Sequence, residues 1–166
     1  ISAYDAGQRH FGENYVDEFC EKSEFFGESH KDIIWHFIGH IQSNKAKKLV
    51  QCKNLSIIET VDSLKLANTL NKECSKIERD PIEVLIQVLA KNTEGSKFGV
   101  TPEESFDLVK HIKADCPFLK FRGLMSMGEI GNVQEFKEIH ELKLKMIEEF
   151  PDIITEDEFM VSMGTS

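Results

Sequence analysis

The chain has 166 residues, 40% of them hydrophobic and 30% charged, which fits one globular domain and excludes a disordered chain. Its formal net charge of -9 argues against nonspecific binding to nucleic acid or to an anionic membrane, since both need a basic surface. No apolar run approaches the ~18 residues of a membrane-spanning helix, and Ile1–Gly7 shows no basic stretch leading into an apolar one, so no secretory signal is visible. The first residue is not Met, so the true N-terminus is expected upstream. The four cysteines, Cys20, Cys52, Cys74 and Cys116, form no CxxC pair and are expected to be reduced thiols of a cytoplasmic protein.

Short apolar runs alternate with helical patterns along the chain. The strand candidates are Arg9–Phe11, Ile34–Ile38, Leu55–Val61, Ile82–Leu89, Phe121–Met125 and Phe159–Ser162. Near-continuous apolar runs suit parallel strands covered on both faces. Helices are predicted over Tyr15–Phe26 and Asn44–Val50, and over Ser63–Ile77 with Asp62 as N-cap and a stripe of Leu64, Leu66, Ala67, Leu70 and Cys74. Thr101-Pro102-Glu103-Glu104 reads as a capping box with Pro at the first helical position. Asn132 with Glu135 opens the longest helix, and Pro151 marks its end.

Strands alternating with helices imply βα units and a parallel sheet, either an open doubly wound sheet or a closed barrel. No GxGxxG or GxxxxGK[ST] loop occurs, which lowers the first option. No repeat or linker divides the chain, so residues 1–166 are read as a single domain. In either architecture ligands sit beyond the carboxyl ends of the strands. Those ends carry Gly12–Tyr15, Ile38–Lys45, Glu94–Gly99, Met125–Gly128 and Ser162–Ser166. Their small and hydrogen-bonding residues would let backbone amides approach an anion.

Seven segments at these positions carry a resemblance: FGENY at Phe11–Tyr15, WHFIGHIQSNK at Trp35–Lys45, VDS at Val61–Ser63, VLIQV at Val84–Val88, SKFG at Ser96–Gly99, RGLMSM at Arg122–Met127 and VSMGTS at Val161–Ser166. In this order they resemble the family of pyridoxal-phosphate-binding homeostasis proteins. The resemblance implies a TIM-type (β/α)8 barrel, similar to the alanine racemase N-terminal domain. It implies pyridoxal 5'-phosphate as cofactor. It also implies an intracellular carrier or regulator of that cofactor rather than an enzyme, with PLP-dependent apoenzymes as possible recipients. The family's Schiff-base lysine lies in a segment before the one matched by Ile1–Gly7. Its final strand and phosphate loop lie after Ser166. The barrel is therefore expected to be incomplete at both ends here, without its first and last strands.

Within the chain the expected cofactor contacts are Asn14, His36, Met125, Ser162 and Met163. Asn14 otherwise reads as an N-cap for the following helix. Period-two alternation puts His36 opposite Trp35 and Phe37, hence inside the barrel if those two pack under helices; a hydrogen-bonded core histidine is the plainer reading. His36 and His40 lack an HExxH glutamate and are not read as a metal pair. Lys45, Lys47 and Lys48 read as a solvated helix face, and Lys97 as a loop lysine within reach of a phosphate. Methionines pack adaptably around flat rings, which suits Met125 and Met163. Two rival functions stay open: a PLP-dependent amino-acid racemase, for which Tyr4 and Tyr15 are the only tyrosines, and a cofactor-independent phosphate-binding barrel.

Overall fold

The computed structural model of the chain describes residues 2–52, 54–89, 98–129 and 131–165. After a short helix α1 (Ser2–Asp5), strands and helices alternate. They are β1 (His10–Glu13), α2 (Val16–Phe26), β2 (Ile34–Phe37), α3 (Ala46–Gln51), β3 (Leu55–Val61), α4 (Leu64–Lys76), β4 (Ile82–Gln87), α5 (Pro102–Asp115), β5 (Leu119–Gly128), α6 (Val133–Glu149) and β6 (Met160–Thr165). The six strands pair in sequence order, β1-β2-β3-β4-β5-β6, and every pair is parallel. A doubly wound sheet would reverse its order at a switch point; this one never does, so the winding is that of a barrel. Among the described residues the sheet is open between β1 and β6, and its form is a half-barrel backed by helices.

Alternation along each strand divides the core in two. One face carries Trp35, Phe37, Ile58, Val84, Ile86, Phe121 and Leu124, which pack with Phe19, Leu49, Leu70, Ile112 and Met146 of the helices. The other face forms a smaller cluster of Ile57, Leu85 and Met125, with Ile34, Met127 and Met160 beside it. That second face is the barrel interior. At its amino end Arg122 pairs with Glu83 at 3.2 Å and Glu158 at 3.3 Å. Gly123, at φ +146°, lies where any Cβ would overlap the Met160 carbonyl oxygen, so β5 and β6 close up only around glycine.

Helix starts follow local chemistry, with three corrections. The capping box forms as expected: Glu104 N–H donates to Thr101 Oγ1 at 3.2 Å, and Thr101 N–H to Glu104 Oε2 at 2.9 Å. The Thr101 amide also holds the Glu104 carboxyl below its usual range. The cap of α4 is Ser63, whose hydroxyl accepts from Leu66 N–H; Asp62 stands one residue outside and accepts from Ser63. Asn132 does stand at the N-cap of α6, but its side chain makes no cap bond, and Asn14 lies one residue before Tyr15, the N-cap of α2. Glu135 reaches back to accept the Glu129 N–H at 2.8 Å, and α2 begins after Tyr15 with no side-chain cap.

The thiols are the fourth correction. Cys20 on α2 and Cys52 after α3 form a disulfide, their Cα atoms 5.8 Å apart, within the usual range. Spacing of 32 residues carries no hint of this, because α2 and α3 become neighbours only by packing on the sheet. Cys74 and Cys116 are free and buried, and burial pushes the Cys74 thiol up to about 11.

Candidate functional site at the carboxyl ends of the strands

Trp35 and Phe37 do pack under the helices, so His36 points into the interior as alternation requires. It is not alone there. Glu59 of β3 lies in phase with Ile57 on the same face and is 5% exposed. His36 Nδ1 and Glu59 Oε1 are 2.6 Å apart, and His36 Nε2 meets His10 Nδ1 of β1 at 2.9 Å. The second Glu59 oxygen, Oε2, is buried without a hydrogen-bond partner.

The interior face continues across the sheet. Gln87 of β4 is buried, and its amide donates to the Phe98 carbonyl at 3.3 Å. Gln87 pairs in register with Met125, and Met125 with Ser162, so these three stand in one row on neighbouring strands. Met127 and Gly164 form the next rung towards the carboxyl end, with Met127 Sδ 3.5 Å from where a Gly164 Cβ would lie. Met163 pairs with Ser126 and so faces the opposite side from Ser162; it is 44% exposed. Its placement on that side gives it no share in the interior row.

Asn14 stands exposed in the bend after β1. Its carbonyl comes so close to Gly39 that a Cβ there would overlap it, and Thr60 Oγ1 donates to the Gly39 carbonyl at 2.6 Å. The ends of β1, β2 and β3 are thus tied together through backbone. His40, just beyond, has Nδ1 3.6 Å from Asp62 Oδ2 and stacks on Phe98 with ring centroids 3.7 Å apart. It therefore diverges from His36. Lys45 and Lys48 both bond Asp17 of α2, whose carboxyl they hold below its usual range, Lys48 most strongly. Ser126 donates to the Val88 carbonyl at 3.1 Å, a strand-to-strand tie. Lys97 and its loop neighbours 90–96 lie outside the described residues.

The candidate site thus has two sides, His36 of β2 with Asn14 in the bend after β1, and Met125 with Ser162 on β5–β6, with Glu59 and Gln87 on the strands between. The last two, and His10, were not anticipated. For Glu59 the signal was there, an acid in phase with Ile57 inside a strand. For His10 it was not, because its partner lies 26 residues away.

The alanine racemase N-terminal domain family matches residues 1–166 of the chain. The mouse pyridoxal phosphate homeostasis protein is 47% identical over 137 residues, covering 80% of this chain and 49% of its own length. The chain therefore spans about half the length of the first curated relatives it matches. The Haemophilus influenzae pyridoxal phosphate homeostasis protein is 36% identical over 166 residues, 99% of this chain and 68% of that protein. PipY of Synechococcus elongatus superposes with a TM-score of 0.80 at 26% identity, covering 99% of this chain and 83% of PipY. Its structure with pyridoxal phosphate bound gives 0.75 at 25% identity, over 98% and 82%. The chain belongs to the alanine racemase N-terminal domain family, among the pyridoxal phosphate homeostasis proteins.

Proposed function

We propose that the chain forms most of the cofactor-binding barrel of a pyridoxal 5'-phosphate protein of intracellular vitamin B6 homeostasis. It acts there as a carrier or regulator, not as a catalyst, and hands the cofactor to PLP-dependent apoenzymes. The observation that carries this reading is the likeness to PipY with pyridoxal phosphate bound, over nearly the whole chain. The residues present suit such a group. Ile57, Leu85 and Met125 make an apolar floor for a flat ring, and Gln87, Ser162 and Asn14 offer polar groups at its margin. Met125 would pack the ring, and Ser162 and Asn14 would hold its polar substituents. Both His36 ring nitrogens are already engaged, so His36 would contribute its ring face or edge. When bound, the cofactor supplies an aldehyde that an amine can capture.

That amine is assigned outside residues 1–166. Among the described residues the only strand lysine is Lys120, near the amino end of β5, far from the carboxyl-end row. Full-length protein incubated with pyridoxal phosphate and reduced with borohydride is expected to give one dominant labelled peptide outside Ile1–Ser166. A dominant label within it, on Lys97 for example, would reassign the site. Scattered labelling alone would remove the cofactor reading. In parallel, the full-length protein is expected to show no racemisation of free amino acids; steady turnover would make it an enzyme.

A further inference from the structure

The interior holds a chain of three titratable groups whose proton positions the cofactor reading does not use. Glu59 is buried with one oxygen on His36 Nδ1 at 2.6 Å, and the His36 Nε2 is 2.9 Å from His10 Nδ1. His36 is itself 9% exposed, whereas His10 at the far end is exposed. With Glu59 as a carboxylate, which accepts only, the proton between Glu59 and His36 sits on His36 Nδ1. This leaves three arrangements. With two ring protons in the chain, His10 donates from Nδ1 to His36 Nε2, and His10 Nε2 is a bare acceptor. With three, either His10 carries both its protons and still donates from Nδ1, or His36 carries both and donates to His10 Nδ1 while His10 Nε2 bears a proton.

We propose that His10, His36 and Glu59 are a proton relay of the barrel interior, loaded at His10 and holding its charge on His36. A proton arrives at His10 Nε2. The proton on His10 Nδ1 crosses to His36 Nε2. One N–H bond forms on each ring and one breaks, and no electrons leave the chain. The positive charge ends beside the buried carboxylate, the one place in the chain where it is compensated. The other charges nearby are committed elsewhere. Arg9 pairs with Asp32, Glu13 with Lys22 on the outer side of β1, Glu83 with Arg122, and His40 faces Asp62. A ligand group over the inner face therefore meets His10 as a donor when the relay is loaded and as an acceptor when it is empty. Glu59 is a positioning residue: it fixes the His36 tautomer and fixes where the charge rests.

The relay goes beyond the cofactor reading and does not depend on it. Histidine-ring proton–nitrogen correlation spectra of the full-length, nitrogen-15-labelled protein across pH 5 to 9 test it, without added ligand. His36 is expected to become the imidazolium as pH falls, while His10 changes from the Nδ1–H to the Nε2–H tautomer and stays neutral. Both rings should share one midpoint. Glu59→Gln is expected to move the charge off His36 and onto His10 in these spectra, because the compensating carboxylate is gone. His10 is exposed, so His10→Gln keeps the fold and should move the His36 midpoint. If Glu59→Gln does not fold, the wild type and His10→Gln decide. Separate midpoints with His10 itself becoming the imidazolium would overturn the relay, as would a His36 midpoint unmoved by substitution. Failure of pyridoxal phosphate to bind the wild type would sink the preceding reading and leave this one standing.

Discussion

On the helix-covered face of the sheet, Trp35, Phe37, Ile58, Val84, Ile86 and Leu124 stand side by side, each met by apolar side chains from the helices. On the interior face the same strands present Ile57, Leu85 and Met125 interleaved with His36, Glu59, Gln87 and Ser162. Adjacent residues of one strand thus serve opposite ends. The covered face supplies the burial that holds the sheet, and the interior face can keep polar groups because stability does not rest on it. A chemical site on one side of a parallel sheet is possible where the other side is packed well enough to carry both.

The sharpest way to break this contrast is on the covered face. Phe37→Ala removes a fully buried ring that packs against Phe19, with centroids 6.3 Å apart. It should cost about 3–5 kcal/mol in urea unfolding of the full-length protein. A loss under 1 kcal/mol would mean that the helix layer is not the main support. Next comes the seam between the faces. Gly39→Ala forces a Cβ into the Asn14 carbonyl, and a loss of about 1–3 kcal/mol is expected from the strain or displacement that follows. Pyridoxal phosphate affinity should fall with it, because Asn14 moves; unchanged affinity would free Asn14 from any binding role.

Away from both faces, Thr101→Ala deletes the hydroxyl that caps α5 and keeps the backbone bond from Thr101 N–H to Glu104, a loss of about 1 kcal/mol by thermal unfolding. The smallest stability effect is expected at Ser162→Ala on the interior edge, within about 0.5 kcal/mol. Its cofactor affinity should drop about fivefold for one lost hydrogen bond. A variant that unfolds more easily but binds equally well would place Ser162 on the structural side of the comparison.

Much of the covered face was legible in the sequence. Leu55–Val61 reads as a strand and is one, residue for residue, because an apolar run bounded by polar turns leaves little else. β1 starts one residue later and ends two later than the Arg9–Phe11 read from the sequence, since His-Phe-Gly-Glu has no apolar run to mark it. β5 runs from Leu119 to Gly128, well beyond the apolar stretch, because parallel neighbours on both sides recruit Lys120 and Ser126 into the ladder. The interior face was harder to read. Alternation placed His36 correctly, and the pairing of Met125 with Ser162 suits their expected roles. Met163 was placed by its neighbours in the motif rather than by its parity along β6, and parity sends it to the other side. Glu59 and His10 join His36 only through register between strands, which no local pattern encodes.

The bond between Cys20 and Cys52 closes a loop that encloses all of β2. The exposed turn at Glu28–Lys31 lies within that loop. A protease cutting after Lys31 would therefore break the backbone without releasing a fragment. The clipped protein should migrate as a single band on a denaturing gel until reductant is added, and then separate into two.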